Sequence, residues 1–145
     1  MANPIVPQGT LNRALTSVQV VDYPDLNVTS GYFGEKLASI TFDGNTSDYI
    51  GTLTGAVPSP RLYQIVTCTM YLNKSQSLSD DWEGQRQVNS AIGDVVITTD
   101  SSELSDYTIT NCVIDNIPSL EFTGQTNDFP VTLKGIYYIN SDLFN

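Results

Sequence analysis

The segment LYQIVTCTMYL, residues 62–72, decides the fold class of this chain. It begins with Leu62, and from Val66 to Leu72 every second residue is apolar. The positions between them carry threonine and tyrosine, which favour extended backbone. A period of two residues with this composition predicts a β-strand whose two faces are both partly covered.

Similar segments, separated by turn-forming residues, lie on both sides of this strand. The predicted strands are residues 17–22, 37–42, 49–54, 62–72, 94–99, 107–115, 120–123 and 131–139. Residues 57–60 (VPSP) are predicted to be a loop, since prolines interrupt strands. We therefore expect one mainly-β domain over residues 1–145, with two packed antiparallel sheets in a sandwich or partial barrel. A short N-terminal arm is expected at about residues 1–16.

One segment interrupts the strands and predicts a short helix near residues 78–91. Ser77 and Asp80 have the spacing of a capping box, and further acidic residues follow in the first turn, where the helix dipole favours anions. We expect Trp82 to anchor this helix to the sheet and Gly93 to end it.

The sequence offers little support for catalysis. It contains no histidine, which removes histidine triads and histidine metal sites. Asp43, Asn45 and Ser47 resemble the opening of a calcium loop, but Asp48 and Thr54 stand where that loop needs glycine and glutamate. We therefore expect no enzyme, no bound metal and no cofactor.

The two cysteines, Cys68 and Cys112, both lie in strand-like segments with apolar neighbours. We interpret them as reduced thiols in the core, and a disulfide between them is the alternative.

Net charge limits the classes of partner. The chain has 16 acidic and 6 basic residues, a formal net charge of −10. Because lysine and arginine contacts to phosphate supply most of the affinity for DNA, specific DNA binding is not expected. No apolar stretch is long enough to span a bilayer, and the first residues lack the pattern of a signal peptide.

A series of short motifs, in order along nearly the whole chain, resembles the tail tube proteins of contractile-tailed, myovirus-like bacteriophages. The motifs are GTLNR (9–13), VVDYPDLNVT (20–29), FDG (42–44), TGAVPSP (54–60), KSQ (74–76), IGD (92–94), YTITNC (107–112) and GIYYIN (135–140). The tube subunits of tailocins and of type VI secretion systems are related to that family in fold.

The resemblance implies a structural virion protein that self-assembles into stacked hexameric rings and forms the hollow inner tail tube. Sheets of neighbouring subunits would join edge to edge into one barrel, with the helix outside it. Residues 43–62 and the N-terminal arm would reach the adjacent ring. The tube would assemble in the host cytoplasm and conduct DNA and ejected proteins without binding DNA specifically. The implied partners are further copies of the chain, the tail sheath protein, baseplate and tail-terminator proteins, and the tape measure protein inside the tube.

The acidic composition has a use in such a tube, because an acidic lumen repels DNA weakly and lets it slide. Solubility is the alternative use of the same charge. Four acids near strand ends or on polar strand faces are the candidates for the lumen: Asp22, Asp43, Glu121 and Asp128.

The alternative function is a monomeric β-sandwich binding module, for example for carbohydrate. Such a module would use tyrosines as platforms, with Tyr49, Tyr63, Tyr137 and Tyr138 as candidates. The oligomeric state separates the two functions, because only the first requires rings or tubes.

Overall fold

A curled antiparallel sheet, a separate hairpin and one α-helix make up the computed structural model. The structure describes residues 7–144, apart from the side chains of Glu35 and Phe144, so the first part of the predicted N-terminal arm lies outside it. The strands are β1 (Ser17–Val20), β2 (Phe33–Phe42), β3 (Ser47–Gly51), β4 (Ala56–Pro60), β5 (Tyr63–Asn73), β6 (Ala91–Thr98), β7 (Tyr107–Asn116) and β8 (Asp128–Tyr138), and helix α1 spans Ser77–Val88. The predicted mainly-β class, with a partial barrel and one helix, is confirmed.

The large sheet has the strand order β1-β6-β7-β8-β5-β2, and every neighbouring pair is antiparallel. Its longest ladder joins β5 to β8 from Tyr63↔Tyr138 to Asn73↔Asp128. Side chains from both outer strands, Val18 of β1 and Ile40 of β2, pack on the same apolar cluster. The sheet therefore curls around its own core as a half-barrel.

The core follows from alternation along the strands. On β5 the side chains of Val66, Cys68, Met70 and Leu72 are all buried, while the intervening residues remain partly exposed. The strand β8 alternates in the same way, and helix α1 adds Trp82, which is fully buried, to the same cluster. The concave face of the sheet is thus the apolar face, because burial of apolar area is the main favourable term in folding.

Helix α1 forms where the sequence predicts it, but its ends differ from the prediction. The N-cap is Gln76, which makes no side-chain capping bond, so Ser77 and Asp80 do not form the predicted capping box. The start is tied down from outside the helix instead, because the Ser79 hydroxyl donates to the Asn73 carbonyl at 2.9 Å. The helix ends at Val88, and the predicted stop, Gly93, lies inside β6 with a φ of +79°.

Gly93 marks an irregular step in the pairing of β6 with β7, and a β-carbon there would lie 2.3 Å from Asp22 Oδ2. Glycine is needed at this position for both reasons, the positive φ and the close approach of Asp22. A position that looked like a helix end is thus a kink in a strand.

Two strand predictions were wrong. Residues 57–60, predicted as a loop, are most of strand β4, which pairs with β3 in a hairpin. Residues 120–123, predicted as a strand, have no regular structure, and Phe122 is 86% exposed there. A segment of strand-forming residues does not become a strand where no neighbouring strand pairs with it.

Candidate assembly surfaces

The hairpin β3–β4 exposes a group of apolar side chains. Every residue of β3 is exposed, and Tyr49, Ile50 and Val57 keep 76%, 60% and 52% of their surface open to solvent. Leu53, in the loop that joins the two strands, is fully exposed. An apolar ribbon of this kind marks an interaction surface more often than a solvated loop does.

The base of this hairpin is nevertheless held in place. The Arg61 amide donates to the Thr46 carbonyl at 3.0 Å, and the Arg61 side chain lies 3.7 Å from an Asp48 carboxylate oxygen. Asn140, beyond the end of β8, donates from Nδ2 to the carbonyls of Arg61 and Thr46 at 2.6 and 3.4 Å. The hairpin is thus attached to the large sheet at a defined position and is solvent-exposed beyond it.

The convex side of the large sheet carries a row of hydroxyl groups across three strands. Thr69 of β5 pairs with Thr132 of β8 and with Ser39 of β2, and Thr67 pairs with Lys134 and with Thr41. Directly paired residues point to the same side of a sheet, so these side chains share one surface, opposite the buried Cys68. We call this surface the hydroxyl face: Ser39, Thr41, Thr67, Thr69, Thr132 and Lys134.

Two of the predicted lumen acids lie at the ends of the hydroxyl face. Asp43 follows β2 and accepts a hydrogen bond from Thr67 Oγ1 at 3.4 Å. Asp128 begins β8 and pairs with Asn73 at the last position of β5. Since β2 and β8 run in the same direction, the end of one and the start of the other lie at opposite ends of the sheet.

The other two predicted acids lie elsewhere. Glu121 is close to Asp128, and both line a cavity of about 180 Å³ beside Tyr71. Asp22 follows β1 and lies close to Gly93. Strand β1 is at the opposite edge of the sheet from β2. The structure thus brings Glu121 and Asp128 together and leaves Asp22 and Asp43 separate from them and from each other.

Basic residues surround the Asp128 end of the hydroxyl face. Lys36, Lys74 and Asp128 line one surface cavity of about 520 Å³, and Lys74 Nζ donates to the Glu121 carbonyl. Lys36 Nζ also lies 5.1 Å from the centre of the Tyr71 ring. The charge here is mixed rather than acidic, which the sequence alone did not indicate.

The predicted tyrosine platform is divided between two sides of the sheet. Tyr63 and Tyr138 are directly paired neighbours, each 52% exposed. Tyr137 packs instead against Phe42 and Tyr107, with ring centroids 5.4 and 5.7 Å away. Tyr49 is on the hairpin. The structure therefore pairs two of the four tyrosines.

Cys68 and Cys112 are free and buried, as the core-thiol interpretation expected. Burial raises the pKa of each thiol from 9.0 to about 12, so both are protonated at neutral pH. Within residues 7–144 no cluster of cysteine, aspartate and glutamate has the arrangement of a metal site. No helix in that range is long and apolar enough to cross a membrane.

No family model matches the chain, and no curated protein matches it. Among solved structures, the chain is similar to the cap that terminates the tube of the anti-feeding prophage, determined by cryo-EM. That similarity has 16% sequence identity and a TM-score of 0.47, and it covers 94% of this chain and 92% of that chain. A similarity at this level carries no argument about function, which must come from the residues of the chain itself.

Proposed function

We propose that this chain is the tube subunit of a contractile phage tail, which assembles into stacked hexameric rings around a channel. The observation that supports this most is the β3–β4 hairpin, which exposes Tyr49, Ile50 and Leu53 on a base fixed by Arg61 and Asn140. An exposed apolar ribbon on a fixed base is typical of an interaction surface, and a subunit that contacts other copies of itself in rings and stacks would bury it. The ordered motifs of the sequence support the same family.

The hydroxyl face is the surface that we assign to the channel. The concave side of the sheet is filled by the core and covered by α1, so the convex side is the sheet surface left to line a lumen. Threonine and serine hydroxyls bear no charge, and Lys134 is the one basic group within this surface as defined. DNA would pass a wall that is mostly neutral, with the carboxylates of Asp43 and Asp128 at its two ends.

The implied partners are part of the same proposal. These are further copies of the chain, the tail sheath protein outside the tube, the baseplate and tail-terminator proteins at its ends, and the tape measure protein inside. The tube would assemble in the cytoplasm of the host and remain in the virion as a conduit for DNA and ejected proteins. We propose no catalytic step and no cofactor.

The proposal is tested by assembly of the purified chain. Sedimentation velocity and negative-stain electron microscopy over a range of protein concentrations should show rings or hollow tubes. Growth from rings to tubes should increase with salt, because salt screens repulsion between subunits that each carry a net charge of −10. A chain that stays a 15.9 kDa monomer at every concentration contradicts the tube role.

The pair Tyr63 and Tyr138 favours a second candidate, a carbohydrate-binding module, because adjacent exposed rings can stack on sugars. For this candidate we expect a monomer whose tyrosine fluorescence changes on titration with soluble oligosaccharides. The change should disappear in a Tyr63→Ala variant. Assembly into tubes with no such change rejects this candidate.

A further inference from the structure

The outer edges of the strands in this chain are not equivalent. Along a strand, the N–H and C=O groups of alternate residues point to opposite sides, so each strand at the edge of a sheet presents a row of groups to solvent. The large sheet ends in β1 and β2, and the hairpin has one outer edge on β3 and another on β4. Which of these four edges can accept another strand follows from their hydrogen bonds.

The edge of β1 is closed by the chain itself. Val18 and Val28 exchange backbone hydrogen bonds of 2.8 and 2.7 Å on the side away from β6. The amide of Val20, two residues further on, donates to the Asn27 side-chain oxygen at 2.8 Å. A neighbouring strand therefore finds these donors already engaged.

The edge of β4 is closed by prolines. The bonds from Thr52 N to Gly55 O and from Arg61 N to Thr46 O show which residues of the hairpin turn their N–H and C=O groups toward the partner strand and which turn them outward. In that alternation Val57 and Ser59 face β3, whereas Pro58 and Pro60 face outward. Because proline has no N–H, this edge lacks two of the donors that a ladder would use.

The edges of β2 and β3 remain open. The bond from Asp43 N to Ile65 O, at 2.9 Å, shows that Ala38, Ile40 and Phe42 of β2 turn their backbone groups away from β5. On β3 the corresponding outward residues are Ser47, Tyr49 and Gly51. Among the described residues no strand pairs with either of these sides. Each open edge thus offers the backbone N–H and C=O groups of three alternate residues to another strand.

A groove of about 470 Å³ adjoins the edge of β2. Ile40 and Phe42 form one wall, and Tyr107 at the start of β7 and Leu104 in the loop before it contribute to the other. A strand added to β2 would find a row of backbone partners with an apolar groove beside it. Proteins that bind extended segments use this combination, in which the ladder supplies affinity and the groove supplies specificity.

We infer that the outer edge of β3 in one copy pairs antiparallel with the outer edge of β2 in the next copy. The inference rests on the proposed function, and it specifies the contact within a ring. Ile40 would lie opposite Tyr49, and Ala38 opposite Gly51. The two edges are different surfaces, so the contact is heterologous and repeats from copy to copy until a ring closes. Pairing of β2 with a second β2 would stop at a dimer.

Two proline substitutions test the pairing with a matched control. Among the described residues no strand pairs with the outward amides of Ile40 and Tyr49. Tyr49 is exposed, so Tyr49→Pro should leave circular dichroism and Tm nearly unchanged, whereas Ile40→Pro also removes a side chain that packs on the core and should lower Tm. Each should raise the protein concentration needed for ring or tube formation by about tenfold or more, since each removes a ladder donor at every subunit contact. Ala56→Pro changes the closed edge of the same hairpin and should assemble like the wild type.

The outcomes separate this inference from the proposed function. A wild-type chain that forms neither rings nor tubes refutes the tube role and the pairing together. Wild-type tubes that persist in both Ile40→Pro and Tyr49→Pro refute the pairing alone. Assembly lost in Ala56→Pro but kept in Tyr49→Pro assigns the contact to β4 and also refutes it.

A disulfide trap keeps the test decisive if a proline variant fails to fold. In the proposed pairing Ser39 lies opposite Ile50 at a position without ladder bonds, where Cα atoms are about 4.5 Å apart and a disulfide fits. The double variant Ser39→Cys with Ile50→Cys, assembled and then oxidised, should give a ladder of linked species up to the ring. Each single variant should give none. The buried Cys68 and Cys112 do not compete. A double variant that assembles but forms no disulfide between subunits overturns the pairing.

Discussion

Gly135 of β8 lies directly against Ile109 of β7: a β-carbon added to the glycine would be 2.1 Å from Ile109 Cγ2. Backbone atoms of Thr110 and Cys112 lie at 3.3 Å from the same point. Movement of the Ile109 side chain alone would therefore not make room for a β-carbon at residue 135. Glycine is therefore needed where these two central strands approach each other this closely.

Gly135→Ala should therefore destabilise the folded chain by about 1–3 kcal/mol or more, as overpacking in a core does. Urea denaturation followed by circular dichroism measures the change in the free energy of unfolding. Ile109→Ala costs stability of its own, because Ile109 is buried, but Gly135→Ala should cost less in the Ile109→Ala background than in the wild type, because the atom that clashes is gone. A Gly135→Ala variant as stable as the wild type contradicts the close contact.

Gly84 differs from Gly135 in having free space where a β-carbon would lie. It lies in the interior of α1, and a β-carbon there would meet nothing within 4 Å. Gly84→Ala should raise the free energy of unfolding by about 0.5–1 kcal/mol, since alanine restricts the unfolded chain and favours the helix. The same urea experiment measures it. A loss of stability would show that this part of α1 is not helical in solution.

Trp82 is the largest fully buried side chain described, and its indole Nε1 has no hydrogen-bond partner in the structure. Trp82→Ala should cost about 3–5 kcal/mol through the cavity that it leaves. Trp82→Phe should cost much less, because it keeps an aromatic ring and removes an unpaired polar group. Equal losses for the two variants would indicate that the indole N–H has a partner after all.

The two cysteine thiols predict a loss of stability at high pH. Each pKa is raised from 9.0 to about 12 by burial, and for Cys112 the neighbouring Cys68 adds to the rise. A raised pKa contributes stability that is complete below the unfolded value and is lost as pH rises toward the folded value. The free energy of unfolding should therefore fall from about pH 9 upward, and less so in Cys68→Ala. A reductant should leave Tm unchanged at pH 7, and a large drop would reveal a disulfide.

Burial of a strand decides how clearly its sequence predicts it, as strands β5 and β4 show. Strand β5 was predictable because Val66, Cys68, Met70 and Leu72 must all reach one core, which forces alternation onto the sequence. Strand β4 was not, because its residues are mostly exposed and no core imposes a pattern on them. Its prolines indicated a loop, yet at outward positions of a hairpin they cost no ladder bond.

The candidate site was predictable only in part for a related reason. Asp43 and Asp128 were chosen as acids near strand ends, and antiparallel pairing does place them at the two ends of one face. The grouping of Glu121 with Lys74 depends on a loop that lacks regular structure, so no periodicity in the sequence could indicate it. That each of these acids lines a lumen stays a prediction.

The last prediction concerns charge on the hydroxyl face. If this face lines the channel, Thr132→Lys adds a cation to the wall at every subunit, and each contact with phosphate adds an attraction that depends on salt. Tubes should still form, but genome ejection from particles built with the variant should slow. The slowing should diminish as salt rises, because the screening length falls below about 8 Å above physiological ionic strength. The control, Val88→Lys, adds the same charge at an 84% exposed position on α1, outside the proposed channel, and should eject at the wild-type rate.

Asp22→Lys, Asp43→Lys, Glu121→Lys and Asp128→Lys extend the test to the predicted lumen acids, with the strongest slowing expected for Asp43 and Asp128, which end the hydroxyl face. Normal ejection at low salt by Thr132→Lys tubes would show that DNA does not pass along this face.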